Sequence, residues 1–213
     1  MRRSVIAVFS LVLGATPLIG GWVQTGDLSV ARYSHSATLL QDGTVLVAGG
    51  YGGWHLASAE IYDPATGAWR PTASMTAARA EHRAALLQNG RVLVVGGYDE
   101  AVGSLASAEI YDPAIGGWST TTDMSAARYY PTATTLRNGR VLVVGGQDEN
   151  GVFLASAEIY DPATAQWTPT SPLHFGRYGG TATLLADGRV LVAGGIGSGY
   201  QRSAETFDPA TGT

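Results

Sequence analysis

The sequence lacks several features that many functions require, and each absence narrows the range of functions. There is no cysteine among the 213 residues, so no disulfide framework, zinc–thiolate site or cysteine nucleophile can be built from it. The net charge is -4, and the 13 basic residues do not cluster beyond Arg2-Arg3. Because no basic patch is present to contact a phosphate backbone, we expect no nucleic-acid partner.

Long helical periodicity and long apolar runs are also missing. No extended stretch repeats apolar residues every three to four positions, so we expect almost no helix. The apolar run Val5 to Leu13 is shorter than the roughly 20 residues of a membrane span. This run follows the basic pair Arg2-Arg3 and is followed by the small residue Ala15, an arrangement that is typical of a secretory signal peptide. We therefore predict a signal peptide over 1–21 and a secreted, periplasmic or cell-envelope protein with no membrane span after signal removal; the twin-arginine route is an alternative export path.

What the sequence does contain is an internal repeat. Its markers are four Gly-Gly pairs and four tryptophans. They are Gly49-Gly50, Gly96-Gly97, Gly145-Gly146 and Gly194-Gly195, with Trp22, Trp69, Trp118 and Trp167. Both sets recur at intervals of 47, 49 and 49 residues. A period of this length, rich in strand-forming residues, predicts the blades of a β-propeller.

Each repeat can be divided into four strands, A to D. Strands A and B are joined at Asp42-Gly43 and at the Asn-Gly or Asp-Gly pairs of the other copies, which predicts two-residue type I′ hairpins. Strand B is an unbroken apolar run, as in Val92 to Val95, so both of its faces should be covered by neighbouring blades. Strand C ends in a Tyr-Asp-Pro or Phe-Asp-Pro sequence, and strand D begins at the tryptophan.

These features together resemble Kelch repeats of the secreted, bacterial type, in the superfamily of the galactose oxidase central domain. The resemblance covers Trp22 to Thr213 and rests on the Gly-Gly pair, the Tyr (or Phe207) about a dozen residues later, and the tryptophan beyond it. It implies an all-β, Kelch-type β-propeller of about four blades with four antiparallel strands each. The repeats span approximately 32–78, 79–127, 128–176, and 177–213 with 22–31.

The last of these groupings leaves two alternatives for the architecture. Residues 22–31 have the Trp-to-Arg spacing of a D strand but have no blade before them, whereas the last repeat stops before its own tryptophan. The N-terminal strand could complete the last blade and close a ring of four. Alternatively, the chain is an incomplete larger propeller, either truncated or completed by self-association.

Candidate binding residues lie in the D–A connections, which share one end of each blade with the variable B–C loops. They are Arg32, Tyr33, Arg79, His82, Arg128, Tyr129, Tyr130, Arg177 and Tyr178. The arginines recur once per repeat, as do four glutamates in strand C. One explanation of this recurrence is that each arginine contacts a glutamate and so fixes its blade or joins it to the next. The other is that the arginines form a ring of guanidinium groups that binds an acidic peptide or sugar acid. The tyrosines are candidate stacking platforms.

Metal and cofactor sites have little support in the sequence. His35 and His82 share a register that could ligate a metal, and the acidic tips Asp99-Glu100 and Asp148-Glu149-Asn150 could bind calcium. Neither is favoured over plain surface residues, so we expect no metal and no cofactor. Copper radical oxidases of the galactose oxidase type need a Tyr–Cys cofactor, for which the cysteine is absent, and no nucleophile motif is present.

The favoured function is therefore a non-catalytic secreted scaffold that recognises a protein, peptide or carbohydrate through its D–A and B–C loops. The alternatives are the propeller part of a larger secreted, oxidase-like enzyme, or a structural module of the cell envelope.

Overall fold

The computed structural model describes residues 21–213, so the predicted signal peptide lies outside the described residues except for Gly21. This part of the chain contains seventeen strands and no helix. The first eight are β1 (Ser36–Leu39), β2 (Val45–Ala48), β3 (Ala59–Asp63), β4 (Ala68–Thr72), β5 (Arg83–Leu86), β6 (Val92–Val95), β7 (Tyr98–Asp99) and β8 (Gly103–Ser104). The others are β9 (Ala108–Asp112), β10 (Gly117–Thr120), β11 (Thr132–Thr135), β12 (Val141–Val144), β13 (Ala157–Asp161), β14 (Gln166–Thr170), β15 (Thr181–Leu184), β16 (Val190–Ala193) and β17 (Ala204–Phe207). The predicted all-β fold is confirmed.

Each repeat forms one antiparallel sheet. The first three sheets have four strands in the order β1-β2-β3-β4, β5-β6-β9-β10 and β11-β12-β13-β14, and the fourth has three, β15-β16-β17. The strands β7 and β8 form a separate hairpin within the B–C loop of the second sheet. Strand C pairs with strand D so that Tyr62 faces Trp69, and the two rings lie 4.9 Å apart. These four sheets are the propeller blades that the repeat predicts.

The A strands adjoin one another and so line the common axis of the blades. β1 lies beside β5, β5 beside β11, and β11 beside β15, whereas β15 has no comparable contact with β1 among the described residues. The sheets are thus not closed into a ring. Residues 22–31 lie against the first blade, where the Gly26 N–H donates to the Gly67 carbonyl at 2.9 Å. Of the two architectures predicted above, the described structure has the open one.

The hydrophobic core lies between successive blades. In β6, Val92 and Val94 pack towards the first blade, and Leu93 and Val95 pack towards the third. All four residues are fully buried. Successive side chains of a strand point to opposite faces of the sheet, so a strand that is buried on both faces needs apolar residues at every position. This explains the unbroken apolar run in strand B.

The A–B turns differ from the prediction. The Gly43 N–H donates to the Leu40 carbonyl and the Leu40 N–H donates to the Thr44 carbonyl, so three residues, Gln41 to Gly43, form the loop. Only the glycine has a positive φ, 87°, and Asp42 does not. This is a three-residue hairpin with a glycine bulge instead of a type I′ turn, and the same bonds recur in the other three blades. The Asp42 carboxylate accepts hydrogen bonds from Thr44, which favours this longer turn.

Candidate binding face

The D–A connection and the B–C loop of each blade pair with one another at one end of the molecule. In the first blade, Tyr33 and Tyr51 exchange two backbone hydrogen bonds of 3.0 and 2.8 Å. Equivalent isolated bridges in the other blades join Ala80 to Tyr98, Tyr129 to Gln147, and Tyr178 to Ile196. The backbone of each variable loop is thereby fixed to the regular part of its blade.

A second set of backbone contacts joins these connections from blade to blade. Ser34, Glu81, Tyr130 and Gly179 occupy the same position in successive repeats, and all have positive φ values between 49° and 65°. The N–H of Glu81 donates to the Ser34 carbonyl, that of Tyr130 to the Glu81 carbonyl, and that of Gly179 to the Tyr130 carbonyl, at 2.8–3.1 Å. The left-handed conformation costs a non-glycine residue about 1–2 kcal/mol. Such strained backbone is concentrated at functional sites.

Eight aromatic side chains form a continuous row across this end of the four blades. Neighbouring rings are 5.2–6.4 Å apart between centroids. We call this row, with the carboxylates described next, the aromatic face. Its rings belong to Tyr33, Tyr51, His55, Tyr98, Tyr129, Tyr130, Tyr178 and Phe153. Tyr33 is 62% exposed, so part of the row is open to solvent.

Three carboxylates line a shallow cavity of about 440 Å³ within the aromatic face. They are Glu81, Asp148 and Glu149, and the rest of the cavity wall consists of aromatic rings of the row. Burial raises the pKa of Tyr129, and the nearby Glu81 charge raises it further. The same two causes act on Tyr130, so both phenols stay neutral and can only be hydrogen-bonding or stacking groups near pH 7. A cavity of rings and carboxylates favours a positively charged group.

The four arginines lie beneath this face. Arg79 donates to the carbonyls of Gly96 and Ser107 and to the Glu109 carboxylate, at 2.8–3.0 Å. Glu109 also accepts the Thr76 N–H at 2.7 Å. Arg32, Arg128 and Arg177 make the same contacts one repeat away. Each arginine follows the D strand of one blade and binds the Gly-Gly turn and strand C of the next.

The side chains of these arginines are therefore inaccessible to a ligand. Those of Arg32, Arg79 and Arg128 are 0% exposed and that of Arg177 is 2% exposed. Burial lowers the pKa of Arg79 and Arg128, while the paired glutamates raise it and hold the charge. The interpretation that the pairs join the blades fits the structure. The alternative, a guanidinium ring that binds an acidic ligand, is not supported by it.

His82 is also an interior residue. Its ring is buried, and its Nε2 lies 2.8 Å from the Ser36 hydroxyl. Burial, followed by the charge of Arg79, lowers the pKa of His82 to about 3. It therefore stays neutral and is not placed for ligand binding. The candidate tyrosines, Tyr33, Tyr129, Tyr130 and Tyr178, all belong to the aromatic face, and their binding role stays a prediction.

The metal hypotheses gain no support. Asp148 caps its own loop by accepting the N–H groups of Asn150 and Val152 at 2.9 and 2.8 Å. His55 accepts the Glu100 N–H at 3.2 Å, which ties two neighbouring loops. Across residues 21–213, no group of three or more histidine or acidic side chains is placed to hold a metal ion.

Sequence reasoning missed Tyr51, His55, Tyr98 and Phe153 as members of one cluster. Tyr51 and Tyr98 directly follow the Gly-Gly pairs of their repeats, but Gln147 and Ile196 hold that position in the other two, and His55 and Phe153 lie further along B–C loops of different sequence. The available signal was the recurrence of an aromatic side chain shortly after the Gly-Gly pair, as in Tyr51 and Tyr98. The carboxylate of Glu81 was also missed, since its position holds a different residue in every repeat.

The blades and their loop-bearing end define a class, the β-propellers built from four-stranded antiparallel blades. A family model narrows this class further. The Kelch motif matches residues 32–76, 80–125 and 128–174, which is more than half of the chain. The chain thus belongs to the Kelch family, whose repeats generally mediate protein interactions. No curated protein matches the chain in a sequence search, and no described helix is long and apolar enough to cross a membrane.

Proposed function

We propose that the chain is a non-catalytic scaffold that binds a protein or peptide partner at the aromatic face, and that the partner places a basic side chain there. The observation that carries this proposal is the continuous row of eight rings beside three carboxylates. The variable residues of the repeats are gathered at this face, while the constant residues build the blades.

The physical basis of recognition is a combination of two attractions. A guanidinium or ammonium group over an aromatic ring gains about 0.5–2 kcal/mol, more as water is excluded. The carboxylates of Glu81, Asp148 and Glu149 line the same cavity and add a charge-assisted hydrogen bond. The paired loops are already fixed by backbone bonds, so little ordering entropy is lost on binding.

A glycan is a second candidate ligand, because exposed tyrosine rings are also suitable for stacking against sugar faces. Tyr33 is the most open of the ring positions, and the Tyr129 hydroxyl already donates to the Gln147 side chain at 2.6 Å. The two candidates predict different dependence on charge. A basic peptide requires the carboxylates, whereas a neutral glycan requires the rings alone.

The test is a screen of peptide and glycan arrays followed by titration of the best ligand into variants. We expect basic peptides to be selected, Tyr98→Ala and Glu81→Gln to weaken binding at least tenfold, and Tyr200→Ala to leave it unchanged. Tyr200 is the matched control, as it is an exposed loop tyrosine outside the row. Binding that survives both Tyr98→Ala and Glu81→Gln would contradict the proposed face.

We also propose that the protein is exported, on the strength of the charged and apolar N-terminal segment. Expression of the full sequence with its own N-terminus, followed by fractionation and mass spectrometry, tests this. The expected product lacks the signal segment and lies outside the cytoplasm. A cytoplasmic product that retains Met1 would contradict the proposal.

A further inference from the structure

One part of the aromatic face is a cavity with inclined walls. Five rings of the row line the cavity of about 440 Å³, and we call this part the ring cavity. Its rings belong to Tyr33, Tyr51, His55, Tyr98 and Tyr129. Along this series, neighbouring ring centroids lie 5.2–5.7 Å apart and the ring planes are inclined at 53–79°. A group inside the cavity therefore meets rings from several directions. Outside it, the rings of Phe153 and Tyr178 are nearly parallel, at 19°.

Polar atoms of two of these rings are already bonded to the protein. The Tyr129 hydroxyl donates to the Gln147 side chain at 2.6 Å, and the Gln147 amide donates in turn to the Gly151 carbonyl at 2.9 Å. His55 Nδ1 accepts the Glu100 N–H at 3.2 Å. These bonds hold the two rings in place. What these two rings offer to a ligand is therefore chiefly their faces.

The charge of the ring cavity is negative. Glu81, Asp148 and Glu149 belong to its walls, and no lysine or arginine does among the described residues. Asp148 accepts the N–H groups of Asn150 and Val152 at 2.9 and 2.8 Å, so it contributes charge more than a free hydrogen-bond acceptor. Burial raises the pKa of Tyr129, and the charges of Glu81 and Asp148 raise it further. A cation inside the cavity is attracted by the same charges.

A methylated ammonium group suits such walls better than a lysine ammonium or a guanidinium. Its shape is rounded, so its methyl groups can contact several inclined rings at once, whereas a planar guanidinium stacks on one ring face. A lysine ammonium must replace three hydrogen bonds to water, which ring faces cannot do. A quaternary ammonium donates no hydrogen bond, and it keeps the full positive charge that attracts it to ring faces.

We propose that the ring cavity binds a quaternary ammonium group, and that this group is a trimethylated lysine side chain of the protein partner. The inference rests on the proposed function, because it names the group that is recognised at the same face. A side chain is favoured over a free cation because the row of rings continues beyond the cavity, over Tyr130, Tyr178 and Phe153. The residues that flank the lysine in a peptide can cover this surface, which a free cation would leave unused.

Titration of three small probes, followed by NMR chemical shifts, tests which group the cavity recognises. The probes are choline, ethanolamine and dimethylbutanol. Ethanolamine is choline without its methyl groups, and dimethylbutanol has the shape of choline with carbon in place of nitrogen. We expect choline to bind at least ~10-fold more tightly than either, because only choline combines the charge with the methyl groups. Equal binding of the three probes, or no binding of choline, would overturn the proposal.

Variants of the rings locate the bound group. Tyr98 lies between His55 and Tyr129 in the row, so Tyr98→Ala should weaken choline binding at least ~5-fold, and Tyr98→Phe should restore most of it because the ring face returns. Tyr51→Ala repeats the test on a ring of the first blade. Tyr200→Ala is the matched control, since Tyr200 is an exposed loop tyrosine outside the row. Choline affinity that is unchanged by both alanine variants of the cavity would contradict this site.

Peptides separate this inference from the proposed function. The basic peptide selected on the array is synthesised again with trimethyllysine in place of each basic residue in turn, and we expect one of these forms to bind at least ~10-fold more tightly. Equal or weaker binding of every methylated form would overturn the inference and leave the face as a site for an unmodified basic side chain. Failure of all peptides to bind would overturn both. Tighter binding to phosphatidylcholine vesicles than to the methylated peptides would assign the cavity to a lipid headgroup and overturn the peptide as its source.

Discussion

Replacement of Arg128 by methionine is the perturbation that tests how the blades are held together. Arg128 donates to the Gly145 and Ser156 carbonyls at 2.8 and 3.0 Å, and to the Glu158 carboxylate at 2.9 Å. Its side chain is 0% exposed, and that of Glu158 is 2% exposed. The substitution keeps the apolar stem but leaves a buried carboxylate and two carbonyls without their cationic partner.

The expected cost follows from this loss. Removal of one partner from a buried ion pair destabilises a protein by about 3–5 kcal/mol, chiefly because the other charge stays buried and unpaired. Arg128→Lys should also be costly, since an ammonium cannot reproduce the planar set of donors. Arg140→Met is the matched control: Arg140 binds Asp161 at 3.0 Å but is 51% exposed, so its loss should cost about 1 kcal/mol or less.

Urea unfolding followed by tryptophan fluorescence and by circular dichroism measures these differences. Two probes are needed because repeat proteins can unfold in parts. We expect Arg128→Met to lower the free energy of unfolding by at least about 3 kcal/mol and Arg140→Met to lower it only slightly. Similar losses for the two variants would refute the assignment of the buried arginines to joining the blades.

Two further predictions concern the pH dependence of stability and a close backbone approach at one glycine. The folded-state pKa of His82 is lowered to about 3 from its ordinary 6.5, so the unfolded state binds more protons between these two values. The free energy of unfolding should therefore fall as the pH decreases through that window, by up to about 1.4 kcal/mol per pH unit. Urea titrations from pH 7 to 5 should show this slope and His82→Gln should reduce it, whereas an unchanged slope in the variant would contradict the burial of a neutral imidazole. Gly97→Ala and Gly53→Ala both place alanine at a φ near 100°, but only at Gly97 would the new Cβ meet a neighbour, the Ala80 carbonyl, at 2.7 Å. Thermal unfolding should show that Gly53→Ala lowers the free energy of unfolding by about 1–2 kcal/mol and that Gly97→Ala lowers it clearly more. Equal losses for the two variants would contradict the close approach.

The blades could be predicted from the sequence because their constant residues act locally. An apolar run such as Val92 to Val95 is possible in an antiparallel sheet only when both faces are covered. The tryptophan equivalent to Trp69 and the glycine equivalent to Gly97 mark the same strand ends wherever they recur. The turn type could not be predicted, because Asp-Gly is compatible with a two-residue or a three-residue loop. The hydrogen bonds of Asp42 with Thr44 favour the longer one.

The candidate site was less predictable for a physical reason. Repetition shows that the arginine at the position of Arg79 has the same role in every repeat. It does not show whether the arginine side chain points into the core or to the surface. The pair of Arg79 with Glu109 is inward, because the glutamate lies in strand C between two blades. The aromatic face brings together rings from loops that are distant in sequence, such as Tyr33 and Tyr178, and only the arrangement of the blades places them in one row.

Hydrogen–deuterium exchange with and without the selected ligand is the most direct test of the aromatic face as the binding site. We predict that the ligand slows exchange in the D–A and B–C loops around Tyr33, Tyr98 and Tyr129, and leaves the A–B turns at the opposite end unchanged. Protection at the A–B turns, around Gly43 and its counterparts, without protection at the aromatic face would contradict it.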